Sequence, residues 1–137
     1  MIRPIYLYGA EVLRKKAAEV NLADKEAIAS LVQDLNDTLV TADGCGLAAP
    51  QIGVQKRVIC MLTDRPYVII NPTLEFIGDE KMEVMDDCMS FPGLLVRVER
   101  YRHCILRYMD ENWEPQEKRM DDDMSELIQH EYDHLDL

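Results

Sequence analysis

Residues 130–134 read His-Glu-Tyr-Asp-His, and their types and spacing suit metal chemistry. Two histidines four apart stand one turn above each other on the same helix face, so both imidazoles can reach one ion. On a helical wheel at about 100° per residue, Glu131 falls in the middle of an apolar arc of Met124, Leu127, Ile128, Tyr132 and Leu135. His130 and His134 lie at the edge of that arc, and Asp122, Glu126 and Asp133 take the opposite side. A carboxylate on a buried stripe is costly unless something pairs with it, and an ion with its water does so. Burial also moves a carboxyl group toward the pKa range of a general base. The bland alternative is a helix with two packed histidines and a glutamate met by an arginine.

Two histidines do not complete a site. A catalytic ion of the zinc type takes three protein ligands and keeps one position for water. Cys88, His103 and several carboxylates are the candidates for the third ligand. His103 sits among arginines on a strand and reads as a surface residue. Cys88 lies in Met85–Gly93, which reads as a strand end turning into a loop, a good place for a ligand to meet a helix. A second unusual segment, Gly44-Cys45-Gly46-Leu47-Ala48-Ala49-Pro50-Gln51-Ile52-Gly53, lacks the Lys-Ser/Thr ending of a phosphate-binding loop. Its small residues let the backbone approach a ligand or a neighbour closely. The plain alternative is a tight helix-to-strand connection.

The elements that must position these residues follow from periodicity. Residues 24–42 predict an amphipathic helix, with Ile28, Leu31, Val32, Leu35 and Leu39 at helical spacing. Asn21 or Asp24 is placed to cap its start and Gly44 to stop it. Segments 57–62, 67–71, 81–85, 94–99, 104–109 and 113–118 are short, rich in Val, Ile, Leu or Tyr, and separated by turn residues. That spacing predicts antiparallel strands. A last helix is expected from Asp121 to Leu135, with Asp121, Asp122 and Asp123 in its first turn, where the helix dipole favours negative charge. The order of helix, strands and helix predicts an α+β fold, with antiparallel strands around the C-terminal helix that bears the metal motif.

Bulk properties narrow the function classes. A chain of 137 residues suits one domain over 1–137. A net charge of −11 argues against nonspecific binding to nucleic acid or to anionic membranes. No apolar run approaches the roughly 18 residues of a membrane span, and the first residues do not read as a signal peptide. A cytoplasmic protein is expected. Arg97, Arg100, Arg102 and Arg107 form the densest basic stretch, and its plain reading is an ion-paired strand face. Cys45, Cys60, Cys88 and Cys104 include no Cys-x-x-Cys pair, so most are expected as small buried residues.

Taken together and in this order, three segments resemble the peptide deformylase family. The family's Gly-x-Gly-x-Ala-Ala-x-Gln motif is met in full by Gly44 to Gln51. Its Glu-Gly-Cys-x-Ser motif is met by Asp86 to Ser90 at Cys88 and Ser90. Its Gln-His-Glu-x-Asp-His motif is met in full by Gln129 to His134. The likeness extends to the Leu13-Arg14 region, to Ile70-Asn71-Pro72 and to Arg100, twelve residues past Cys88. The resemblance implies an α+β fold and removal of the N-formyl group from new polypeptides that start with formylmethionine. It implies Cys88, His130 and His134 as metal ligands and Glu131 as the proton carrier. It implies the Gln51 amide and the Met89 backbone N–H as oxyanion donors, and the Gly46 backbone as a guide for the substrate main chain. Cys45, Leu47, Val84 and Leu127 are expected to line the substrate pocket. The implied cofactor is one divalent ion, Fe²⁺ in the usual case, with Zn²⁺, Ni²⁺ or Co²⁺ as substitutes, which a thiolate and two imidazoles suit. The implied partner is the N-terminus of nascent formylated polypeptides, without direct contact to nucleic acid or membrane.

The chain departs from the family pattern at Asp86, where Glu is usual, and at Asp87, where Gly is usual. The sequence also ends three residues after His134, so ribosome docking through a C-terminal helix is not expected. Two other readings stay open. One is a different small His-Glu-x-x-His metallohydrolase. The other is a catalytically impaired relative serving as a binding module.

Overall fold

The structure is a computed structural model that describes residues 2, 17–42, 45–62, 66–88 and 91–136. At 22, 42, 66, 86–88, 91–96 and 136 the backbone alone is described. The Leu13-Arg14 region, Gly44 as a helix stop, Met89 and Ser90 therefore lie outside the described residues.

The first helix, α1 (Lys25–Ala42), follows the predicted span. Its stripe of Ile28, Leu31, Leu35 and Leu39 is buried to between 0 and 7% exposure, as spacings of three and four require. A 3-10 turn at Leu22–Asp24 leads into it, closed by the Asp24 N–H donating to the Asn21 carbonyl at 2.9 Å.

Among the described residues seven strands follow: β1 (Gly46–Ala48), β2 (Val58–Leu62), β3 (Pro66–Phe76), β4 (Lys81–Cys88), β5 (Phe91–Tyr101), β6 (His103–Met109) and β7 (Pro115–Asp121). Five form one antiparallel sheet in the order β1-β2-β3-β6-β7, and β4 and β5 form a separate antiparallel pair. The closing helix, α2 (Asp122–Asp136), begins directly after β7. The fold is α+β with antiparallel strands and a C-terminal helix, as expected.

The sheet separates two apolar clusters, because side chains alternate along each strand. Val58, Cys60, Val68 and Ile70 pack with α1, whereas Ile59, Met61, Ile69, Leu106 and Met120 pack with Ile128 and Leu135 of α2. At about 25 cal/mol per Å², such burial is the main stabilising term for both helices.

Three strands, β3, β4 and β7, run three or more residues past their predicted ends. Sequence periodicity stops β3 near residue 71, yet the strand continues to Phe76 across an irregularity between Ile70 and Thr73. Asn71 there has φ 52°, a left-handed conformation that Asn tolerates, and Pro72 has no N–H to give the ladder. The Asn71 side chain compensates: it accepts from the Val20 N–H and donates to the Val20 carbonyl, each at 2.8 Å. Likewise, the expected loop over Met85–Gly93 is mostly strand. β4 reaches Cys88 and pairs it with Phe91, with a register shift between Asp86 and Cys88. The candidate ligand thus ends a strand.

Candidate functional site

Glu131 is 4% exposed, although it is ionisable, because α2 turns it inward with Ile128 and Leu135. It faces β1, an edge strand of the large sheet. A Cβ added to Gly46 would lie 3.1 Å from Glu131 Cγ, 3.3 Å from Cδ and 3.0 Å from Met61 Sδ. Gly46 and Met61 are partners in the β1–β2 ladder. A side chain here would make both neighbours give by a few tenths of an ångström, so glycine suits the close approach of the glutamate to this backbone. The glycine-rich segment and the helix motif therefore meet at one corner of the fold.

Gln51 belongs to the same corner. It lies in a 3-10 turn, Ala49–Ile52, which Pro50 opens and Gly53 closes at φ 90°. That turn and β1 both pack against α2. Gln51 is 1% exposed, and its Oε1 accepts the Ala48 N–H at 3.0 Å. This bond fixes the amide's orientation, so the donating Nε2 is the end directed away from Ala48.

The rings of His130 and His134 lie edge to face, with centroids 5.2 Å apart. Two imidazoles that share one tetrahedral ion through nitrogen place their centroids about 5 Å apart, so the pair fits a common metal. Both residues are partly exposed. Among the described residues no three His, Cys, Asp or Glu side chains group as a cage. The expected third ligand, Cys88, has its backbone at the end of β4 and its side chain outside the described set.

The helix is anchored from several directions. Gln129 Nε2 donates to the Tyr101 carbonyl at 2.7 Å, and its Oε1 accepts the Tyr101 N–H at 3.0 Å. Ser125 Oγ donates to the same carbonyl at 2.7 Å. Arg100 pairs with Asp133. These contacts tie β5, the partner of the Cys88 strand, to α2. Gln129 was legible in the sequence only as part of a motif, and its bonds to a distant backbone could not be seen there. Arg57, which reaches the last turn of α2 through the Leu135 carbonyl, was missed altogether. Its one signal was its place, after Lys56, at the head of the apolar run Val58–Leu62.

The other expectations divide. Cys45 is exposed and free, whereas Cys60 and Cys104 are buried and free. Burial pushes the Cys60 thiol up to about 12. The Leu47 side chain, expected at the substrate pocket, is 0% exposed and packs with α1, so its reach toward the site is through its backbone. Val84 and Leu127 are partly buried, and Leu127 packs beside the α2 cluster. The basic stretch is ion-paired: Arg97 with Glu83 at 2.8 Å, Arg102 with Glu80 and Asp122 at 2.7 Å each, and Arg107 with Glu117 at 2.7 Å. His103 pairs with Asp121 at 2.6 Å, away from the glutamate site.

The family model described as polypeptide deformylase matches residues 2–136. The chain belongs to that family. It is 42% identical to the peptide deformylase of Pseudothermotoga lettingae over 98% of this chain and 78% of that protein. It is 39% identical to the peptide deformylase of Aquifex aeolicus, over 98% of this chain and 83% of the relative. The crystal structure of the peptide deformylase from Thermus thermophilus superposes with a TM-score of 0.91 at 37% identity, over 99% of this chain and 82% of that one. The deformylase fold accounts for the edge strand, the turn and the helix meeting at one corner. Deformylases are metal-dependent hydrolases, and no described helix is long and apolar enough to cross a membrane.

Proposed function

We propose that the corner formed by β1, the Ala49–Ile52 turn and α2 removes the N-formyl group from polypeptides that begin with formylmethionine, the activity of the family. The observation that carries this reading is the buried Glu131 carboxyl lying against Gly46, beside two imidazoles spaced for one ion.

His130, His134 and Cys88 are the proposed ligands. Fe²⁺ is the proposed ion, and Zn²⁺, Ni²⁺ and Co²⁺ suit the same donors. Such an ion, when bound, supplies Lewis acidity that activates a water and polarises the formyl oxygen. Glu131 takes a proton from the attacking water. It later delivers that proton to the leaving amine, so formate and a free N-terminus result. Burial serves this role, because a carboxylate shielded from bulk solvent exchanges its proton with the reacting groups. Gln51 Nε2 and the Met89 N–H donate to the oxygen that gains charge, a task suited to donors held in place beforehand. The backbone of β1 at Gly46 aligns the substrate main chain along the free side of this edge strand. Leu47 contributes backbone to the same edge, and Cys45, Val84 and Leu127 are proposed around the methionine side chain.

The proposed partner is the N-terminus of a new polypeptide, and the cytoplasm is the proposed location. Neither nucleic acid nor membrane is part of the reading.

The test is release of formate from formyl-Met-Ala-Ser by metal-loaded protein, with Glu131→Gln beside it. The wild type is expected to turn over, and the variant to keep its metal and lose about 10² to 10⁴ in rate. Metal-loaded wild type without turnover would overturn the function, and a variant of near-normal rate would remove Glu131 from its role.

A further inference from the structure

His134 stands in the last turn of α2, two residues before Asp136. This is a poor place for a ligand. The last four carbonyls of a helix lack partners within it, and helix ends open locally at low cost. Something outside the helix must hold this turn if His134 is to keep its position.

Arg57 does so from the strand side. Its Nη1 donates to the Leu135 carbonyl at 3.2 Å, and the Ala17 N–H donates to the same oxygen at 2.7 Å. Its guanidinium carbon lies 5.3 Å from the centre of the Tyr132 ring, within range of a cation–π contact. The arginine therefore touches the residue after His134 and the one two before it. Arg57 is 6% exposed, and its own backbone is held on both sides. The Arg57 N–H donates to the Ala18 carbonyl, and the Asn71 N–H donates to the Arg57 carbonyl, each at 2.9 Å. A positive charge at a helix C-terminus is also favoured by the helix dipole. On the opposite flank, Arg100 of β5 holds Asp133.

We propose that Arg57 is a positioning residue for His134, holding the last turn of α2 so that this imidazole stays in register with His130. The inference rests on the reading of both histidines as metal ligands. Groups that orient a metal ligand typically contribute about ten- to a hundred-fold in metal affinity.

The measurement is the rate at which Co²⁺-loaded protein surrenders its ion to excess chelator, followed by absorbance below the thermal transition. Arg57→Met is expected to lose Co²⁺ about tenfold faster than wild type, with Arg57→Lys between the two. Leu35→Ala, on the far side of the sheet and fully buried, serves as a variant of lowered Tm that keeps the wild-type rate. A folded Arg57→Met with the wild-type rate overturns the proposal, as does equal acceleration in Leu35→Ala, which marks a general effect of stability. If Arg57→Met does not fold, Arg57→Gln decides in the same way: faster loss supports, an unchanged rate overturns. Wild type that takes up no Co²⁺ removes the metal reading together with this inference.

Discussion

Gly46 and Glu131 constrain each other at the level of single atoms. A methyl group on Gly46 would press on Glu131 Cγ at 3.1 Å and on Met61 Sδ at 3.0 Å, so Gly46→Ala must displace a carboxylate or a core side chain. We expect a stability loss of about 1–3 kcal/mol, as for other overpacked sites. A larger effect on kcat than on KM is expected, because the displaced group is the proposed proton carrier. Thermal melting and steady-state kinetics on a formylated peptide read the two separately, and a variant with both unchanged would show that the corner has slack. Cys88→Ser tests the ligand set at the same scale. Oxygen in place of sulfur makes a poorer ligand for a soft-leaning ion, so metal content after dialysis should fall. Wild-type metal content in that variant would take Cys88 out of the set.

The elements matter because no one of them contains the whole of the proposed site. α2 carries Glu131, His130 and His134, β1 carries Gly46, the 3-10 turn carries Gln51, and β4 carries Cys88. Gln129 joins α2 to the β4–β5 pair, since it holds both polar groups of Tyr101 on β5. Replacing it with Leu leaves the part-buried Tyr101 N–H without this acceptor, at about 1–3 kcal/mol for an unsatisfied group, while the carbonyl keeps Ser125. Urea denaturation should show that loss, and the Tyr101 amide should exchange faster with solvent. Unchanged stability would mean that the Tyr101 N–H bond adds nothing beyond the contact of Ser125 with the Tyr101 carbonyl.

At the scale of the whole molecule, the two apolar clusters make the sheet the common support of both helices. Its thiols report on that arrangement. Cys60 sits at 0% exposure, with burial pushing its thiol up to about 12, and burial raises Cys104 as well. A thiol must become thiolate to react. Cys45, which is exposed, should therefore be alkylated within the native protein, and Cys60 and Cys104 only as the molecule unfolds. Mass spectrometry along a urea series checks this. Labelling of Cys60 at the rate of Cys45 in native buffer would contradict the packing between α1 and the sheet.

Much of this protein was legible in its residues alone. Local signals sufficed for the span of α1, the inward placement of Glu131 on α2 and the strand-rich middle, because helical and strand periods are properties of consecutive residues. The identity of the motif residues was likewise plain. The continuation of β3 past Asn71 was not, since the irregular pair Asn71-Pro72 is repaired by Val20, which is 51 residues away. Nor could the neighbour that Gly46 makes room for be read, because it is a carboxyl on a helix 85 positions later. Arg57 is the same case: nothing near it in sequence explains a buried cation, and its partners, Tyr132 and Leu135, meet it only once the sheet and α2 pack. Types and periods are written locally, whereas who touches whom across the sheet is decided by tertiary packing alone.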